Sequence, residues 1–299
     1  MYAVGMITIK DINEQGRIND SQLHRRIDFH SHSTFSDGAL TPKALLSLAS
    51  EQNIELFSLT DHDTIAGLGE AREAAKVHNI KLVTGVEIST LWKGIPIHLV
   101  ALNFSEDNSA LLEVLDANQK IRIDRAKKIA LLLMKQGLPD LFDNAMQEAG
   151  TSQIGRPHFA RVMVDQNLVK DVNKAFDRYL GNKRLGQLRD VWPDLESVLS
   201  VLNGHGMELV LAHPKRYPIT VTKLKKLIFD FVQYGGTSLE VSSGNDKPES
   251  VRLLEGLIKE HKIKASVGSD FHGPYGPWCQ VGKFTPFDEA RIGTVWQDW

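Results

Sequence analysis

The sequence predicts an α/β protein, on the strength of three patterns along its 299 residues. Seven short apolar stretches have strand character, amphipathic helical stretches alternate with most of them, and polar side chains gather at one end of the strands. Alternation of this kind builds a barrel or a wound sheet. A chain of this length can bury a sizeable core, as one large domain or two modest ones.

The elements follow in order. RIDFHSH (26–32) reads as a strand, with Ile27 and Phe29 on one side and Asp28, His30 and His32 on the other. Thr41-Pro42 offers an N-cap and a first-turn proline to a helix through ALLSLASEQ. LFSLT (56–60) is the second strand, followed by the polar turn DHDT and an Ala-rich helix near 66–77. KLVTGVEIS (81–89) and IHLVAL (97–102) are the third and fourth. The LWKGIP-type stretch between them is too short for a helical crossover, so this pair is expected to form a hairpin. ELVLA (208–212), SLEVS (238–242) and ASVG (265–268) complete the seven, and the helices TKLKKLIFDFVQYG and PESVRLLEGLIKEHK precede the last two.

From 106 to 200 the periodicity is helical only, near 110–136, 140–149, 157–167 and 171–180. This segment is expected to be a helical insertion between a first barrel part (25–105) and a second (201–299, with the C-terminal tail). Residues 1–24 are expected to be a loosely ordered extension; they are not read as a signal peptide, because they lack its unbroken apolar core and cleavage site.

Composition narrows the function classes. Hydrophobic residues make up 42% and charged residues 24%, ordinary for a globular enzyme. A formal net charge of −2 gives no global basic footprint for duplex DNA or a membrane surface, though a few local arginines could hold a short nucleotide. No apolar run is long enough to span a bilayer. Cys279 is the only cysteine, so intrachain disulfides and cysteine zinc sites are excluded; a reducing, cytoplasmic setting is expected.

The chemistry lies at the strand ends. The first strand and its loop give His30, His32 and Asp37; the second gives Asp61, His62 and Asp63; the third gives Glu87. ELVLAHP gives His213, and SVGSDFHG gives Asp270 and His272. The hairpin would bring His98, near the start of its strand, beside Glu87. Singly, each has an ordinary reading as a core histidine, a turn residue or a helix cap. Jointly, one cavity would carry heavy desolvation and like-charge costs unless cations neutralised it, so a metal centre is the better reading. Alternative phosphate chemistries are poorly represented. There is no GxxxxGK loop, and Cys279 has Thr285 rather than Arg six positions on.

In this order, HSHSTFSDG, TDHDT, GVEIS, IHLVAL, AHP and GSDFH resemble the PHP (polymerase and histidinol phosphatase) superfamily of metal-dependent phosphoesterases. The resemblance covers roughly 26–105 and 205–275. It implies a distorted (β/α)7 barrel, with the helical insertion over the active-site mouth, and a trinuclear metal centre. Carried over by motif, the ligands are His30, His32, Asp37, His62, Glu87, His98, His213, Asp270 and His272. His30, His32, Glu87 and Asp270 would hold one ion. Glu87 would bridge to a second, held with His98 and His213, and Asp37, His62 and His272 would hold the third. Mixed imidazole and carboxylate ligation suits Mn²⁺, Fe²⁺ or Zn²⁺, with Mn²⁺ the first expectation. Asp61 is expected to orient His62 or a neighbour, with a strand-end cap as its ordinary reading. A metal-bound hydroxide would attack phosphorus in line, with no separate protein nucleophile.

The insertion carries the substrate clue. ANQKIRIDRAKKIALLL puts Arg122 and Arg125 on one helix face, and IGRPHFARV places Arg156 and His158 where a helix begins. A solvated face is the ordinary reading, favoured for Arg125 and above all for Lys128. These motifs look like the subgroup containing RNase AM and the 3′,5′-nucleoside bisphosphate phosphatase. That likeness implies hydrolysis of the 3′-phosphate ester of nucleoside 3′,5′-bisphosphates and of short 5′-phosphorylated RNA from its 5′ end. Arg122, Arg125, Arg156 and His158 would then grip the other phosphate. Glu240 and Asn245 could line the pocket, but a strand-end role is expected of them. The alternatives are a histidinol-phosphatase-like enzyme, which gives no reason for the arginines, and a non-catalytic assembly module, against which the full ligand set counts.

Overall fold

A computed structural model describes residues 26–299 apart from 151, 182–183, 186–187, 189–190 and 277–278. The expected extension over 1–24 lies outside the described residues. The strands are β1 (Ile27–Asp28), β2 (Leu56–Leu59), β3 (Lys81–Trp92), β4 (Ile95–Leu102), β5 (Glu208–Leu211), β6 (Ser238–Ser243) and β7 (Lys264–Gly268). They form one sheet in sequence order; β3–β4 and β4–β5 are antiparallel and every other pair is parallel. Only β4 therefore runs against the rest.

The predicted first strand is cut short for a reason of closure. Only Ile27 and Asp28 pair with β2. Beyond them the chain lies between β2 and β7, bonding each in turn: Phe29 N donates to Val267 O, Thr60 N to Ser31 O, Asp270 N to His30 O, and His32 N to Phe271 O. These bonds nearly close the sheet into a barrel. Close approach at this seam needs Gly268, where an added Cβ would sit 2.2 Å from His30 Cβ and 2.6 Å from its backbone nitrogen. The far end of β7 pairs instead with the C-terminal tail: Ala265 bridges Thr294, and Trp296 and Trp299 pack on Phe29 at 5.5 and 5.3 Å. That cover protects an edge the short β1 cannot reach.

The hairpin runs longer than the sequence suggests. β3 continues to Trp92 and β4 starts at Ile95, because Lys93 and Gly94 turn the chain in two residues with φ of +51° and +75°. Thr90, Leu91 and Trp92 suit continued strand.

Helices α1 (Pro42–Glu51), α2 (Leu68–His78), α7 (Leu195–Leu202), α8 (Val221–Gln233) and α9 (Pro248–His261) pack against the barrel, in one apolar core with the strands. Thr41 caps α1 by accepting from Ala44 N, ahead of Pro42. Between β4 and α7 come α3 (Ser109–Met134), α4 (Phe142–Ala149), α5 (Arg156–Asp165), α6 (Val172–Ala175) and a π-helical turn (Phe176–Leu180). The first turns of α3 (Leu111, Val114, Leu115) belong to the barrel core. From Ala126 to Leu188 the buried residues form a second cluster, centred on Leu133, Phe159 and Met163. This helical layer is tied down over the barrel mouth: Gln153 N donates to Phe35 O, Gln153 Nε2 to Asp63 O, and Leu91 N to Pro193 O.

Candidate metal centre

Six parallel strands present their C-terminal ends on one face, and the reversed β4 presents its start there, with His98 opposite Ser89 in register. Fully buried Glu87 is the hub. Its Oε1 lies 2.8 Å from His98 Nδ1, 3.0 Å from His213 Nε2 and 3.3 Å from His30 Nε2. Its Oε2 lies 2.9 Å from His62 Nδ1 and 3.3 Å from His32 Nε2. Asp270 Oδ1 is 3.2 Å from His32 Nε2, and the two oxygens of Asp37 lie 3.4 Å from His272 Nε2 and 3.7 Å from His62 Nε2. All the residues selected as ligands from the sequence thus converge on one cluster.

The cluster fits divalent cations by its donors and by what they lack. Three sets each bring ligand atoms within 4.8 Å of one another: His30/His32/Glu87, His62/Glu87/His98 and His32/Asp37/His62/His272. His30 Nε2, His32 Nδ1, Asp37 Oδ1, His62 Nδ1, Glu87 Oε2 and His213 Nδ1 are buried and make no hydrogen bond. So many orphaned polar atoms would be costly in a site without a cation. The electrostatics agree. Burial would depress the His62 imidazole, but the Glu87 and Asp37 carboxylates push it up to about 9. Burial would raise Glu87, yet His98, His62 and His30 hold it well below the ordinary carboxylate range. The site demands positive charge.

Outer carboxylates aim these donors. Glu240 is buried; its Oε1 lies 3.0 Å from His30 Nδ1, leaving Nε2 for the cluster, and its Oε2 accepts from His213 N at 2.5 Å. Asp28 accepts from the backbone and hydroxyl of Ser269 and from Gly282 N, pinning the segment before Asp270 to β1. Asp63, His213 and Asp270 have positive φ (+52°, +28° and +52°), an arrangement non-glycine residues adopt at a cost and that concentrates at functional sites.

Beside the cluster, under the helical layer, opens a cavity of about 490 Å³. Asp37, His62 and His98 line it on the barrel side; Arg122, Arg125 and Arg156 line it on the helical side, with Phe176 and Trp192. Arg122 donates to Asp63 Oδ2 through Nε (2.8 Å) and Nη2 (2.5 Å), and its guanidinium lies 5.0 Å from the Trp192 ring centroid. Asp63 also accepts from Asn118 and Ser89. Arg125 donates from Nε to Leu188 O. Burial, together with the Arg156 and Arg122 charges, lowers its pKa to about 10. Arg156 lies over Phe176, 5.8 Å from the ring centroid. Three cations thus crowd one cavity, so Arg125 departs from its ordinary reading, while Lys128 is exposed as expected.

One sequence expectation needs correction. His158 is absent from the cavity lining; its Nδ1 accepts from Gly155 N at 3.0 Å and its Nε2 lies 3.2 Å from Ser152 Oγ, so the ring closes the start of α5. As the third residue of the helix it reaches back to the cap, while Arg156 at the first turn faces the cavity. Asp61, expected to orient His62 or a neighbour, bonds Ser33 and Ser36, and so braces the loop that carries the neighbouring Asp37. Two roles were missed. Glu240 gave a signal, an acid inside a wholly buried strand, that an ordinary strand-end role did not explain. Arg216, paired with Asp270 and donating to Ser243 O, had no spacing signal at all.

A barrel mouth that gathers imidazoles and carboxylates beside a basic cavity defines the class: a metal-dependent phosphoesterase. The chain belongs to the PHP domain family, whose model matches residues 28–182. It is 38% identical to a 5′-3′ exoribonuclease of Haemophilus influenzae, over 92% of this chain and 99% of that protein. It is 37% identical to the 3′,5′-nucleoside bisphosphate phosphatase of Chromobacterium violaceum, over 83% of this chain and 87% of that one. A solved Chromobacterium violaceum structure, described as an amidohydrolase with bound sulfate, superposes with a TM-score of 0.80 at 34% identity, covering 91% of this chain and 95% of that one. The motif resemblance, the barrel and the enzyme class are borne out. Among the described residues, no helix is long and apolar enough to cross a membrane.

Proposed function

We propose that this enzyme hydrolyses the 3′-phosphate ester of nucleoside 3′,5′-bisphosphates and of short RNA bearing a 5′-phosphate, removing nucleotides from the 5′ end. The carrying observation is the cavity in which Arg122, Arg125 and Arg156 face the imidazole–carboxylate cluster. One phosphate at the cluster and a second among the arginines match a substrate with two phosphates; histidinol phosphate has only one. The names of the relatives above point the same way.

Three divalent ions, Mn²⁺ first and Fe²⁺ or Zn²⁺ next, would be held by His30, His32, Glu87 and Asp270, by Glu87, His98 and His213, and by Asp37, His62 and His272. Bound there, they would lower the pKa of water and polarise the phosphoryl oxygens. The chain's own residues do the rest. Asp63, itself fixed by Asn118, holds Arg122 in place, so its guanidinium meets the 5′-phosphate already oriented. Phe176 and Trp192 give the nucleoside an apolar wall, and Gln153 and the helical layer limit water. In both substrates an oxygen from water joins phosphorus, the bond from phosphorus to the 3′ oxygen breaks, and that oxygen takes up a proton. With RNA, the phosphate stays on the shortened chain, which again begins with a 5′-phosphate. The single cysteine supports a reducing, cytoplasmic setting as part of this reading.

The test compares initial rates of the Mn²⁺-loaded protein on adenosine 3′,5′-bisphosphate, on 5′-phosphorylated short RNA and on its 5′-hydroxyl counterpart, with Arg156→Ala alongside. Cleavage of the first two, weak action on the third and loss in the variant are expected. Equal action on all three would defeat the assignment.

A further inference from the structure

The arginine cavity occupies only part of the barrel mouth. Its lining comes from the ends of β1 to β5 and the helical layer. A second cavity, of about 320 Å³, takes the remaining arc, where β5, β6 and β7 end. Arg216, Ser243, Gly244, Asp246, Asp270 and Cys279 are among its walls. Asp270 belongs to the imidazole–carboxylate cluster as well, so the cluster lies between the two cavities.

This second cavity is built. Arg216 bonds both Asp270 and Ser243 O, and its side chain is still 42% exposed. Gly244 has φ +56°, and a Cβ there would come within 3.1 Å of both Arg216 Nη2 and Ser269 O, so the chain needs a glycine to fold this tightly around the guanidinium. Ser243 N donates to Asp246.

The two substrates differ in one place. In the bisphosphate, the phosphorus at the cluster carries only terminal oxygens beyond the 3′ bond. In RNA it also carries the 5′ oxygen of the next nucleoside, which must have room beyond the cluster. With the first nucleotide among the arginines, the open direction is the second cavity. We propose that this cavity receives the nucleoside on the 3′ side of the scissile phosphate, making it an RNA subsite that the bisphosphate leaves empty. The proposal rests on the two-phosphate reading above. Its volume is at the lower end for a drug-sized group, enough for one nucleoside. Arg216 offers a cation to the scissile phosphate on the side that carries the next nucleoside. Asp246 offers an acceptor to a ribose hydroxyl, a contact open to RNA rather than to inorganic phosphate.

Cys279, the only cysteine, gives a handle for blocking the cavity. The Mn²⁺-loaded protein would be labelled with fluorescein maleimide, its stoichiometry read by intact mass, and compared with the unlabelled protein and with Cys279→Trp. The cleavage rate on 5′-phosphorylated RNA should fall by about tenfold or more while that on adenosine 3′,5′-bisphosphate is kept. The adduct should also weaken binding of a non-cleavable 5′-phosphorylated dinucleotide, by fluorescence-independent calorimetry, and leave that of adenosine 5′-phosphate unchanged. Equal losses on both substrates in the labelled protein, an unchanged RNA rate, or a thiol that stays unlabelled in the folded protein would overturn the proposal. If Cys279→Trp loses both activities, the labelled native protein decides. An unlabelled protein that cleaves neither substrate would overturn the proposed function itself.

Discussion

Glu240 sets two of the cluster histidines: it holds the His30 ring by Nδ1 and the His213 backbone by its amide. A partner of this kind fixes the tautomer and aim of a metal-binding imidazole. Glu240→Ala should therefore lower metal affinity by about 10–100-fold, measured by competition with a chelating dye, while the circular dichroism spectrum stays that of the parent. His158 makes a different prediction. Burial, with the Arg161 charge behind it, lowers its pKa from 6.5 to about 4. The unfolded chain then binds the proton first, so this residue's contribution to stability is present above pH 6.5 and is lost as pH falls towards 4. A thermal-denaturation series over that range should show a decline that is shallower in His158→Asn.

At the scale of elements, the site depends on the seam between β1 and β7. His30 leaves β1 where Gly268 ends β7, and the two backbones meet with no space for a methyl group. Gly268→Ala must push the strands apart, at about 1–3 kcal/mol or more for overpacking. A lower urea midpoint together with reduced bound metal is expected; a loss of stability with full metal content would separate the seam from the site. The hairpin is the second such dependence. The tight Lys93-Gly94 turn fixes the register that sets His98 opposite Ser89, and a slip of one residue would turn His98 away from Glu87. On the helical side, Asp63 follows His62 directly and grips Arg122 on α3, so the same loop serves the cluster and the arginine cavity.

At the scale of the molecule, the barrel and the helical layer have separate apolar clusters, and the cavity with the arginines lies where they meet. Around that cavity charge is divided likewise, with Asp37 on the barrel side and Arg122, Arg125 and Arg156 on the helical side. Removing metal should be felt by the whole fold, because ions that bind only the native state stabilise it by mass action. Dialysis against a chelator is expected to lower the melting temperature by several degrees, and adding Mn²⁺ back should restore it. A melting temperature indifferent to chelation would contradict a metal centre of this size.

The sequence by itself determined the α/β plan and the set of clustered residues. Six histidines with Asp37, Glu87 and Asp270 stand at strand ends, where apolar side chains are the ordinary choice, and few arrangements other than a metal centre tolerate them. Such departures can be read from the chain because residue type alone signals the cost. Only the tertiary structure decided the rest. Arg125 and Lys128 lie on the same helix and look alike in sequence, yet one is drawn into a cavity with two other cations while the other meets water. Glu240, Arg216 and Asp63 take their roles from partners 27 to 210 residues away, and His158 turns to the cap while Arg156 turns to the cavity. Side-chain direction and long-range pairing are set by packing between layers, and no local pattern in the chain records them.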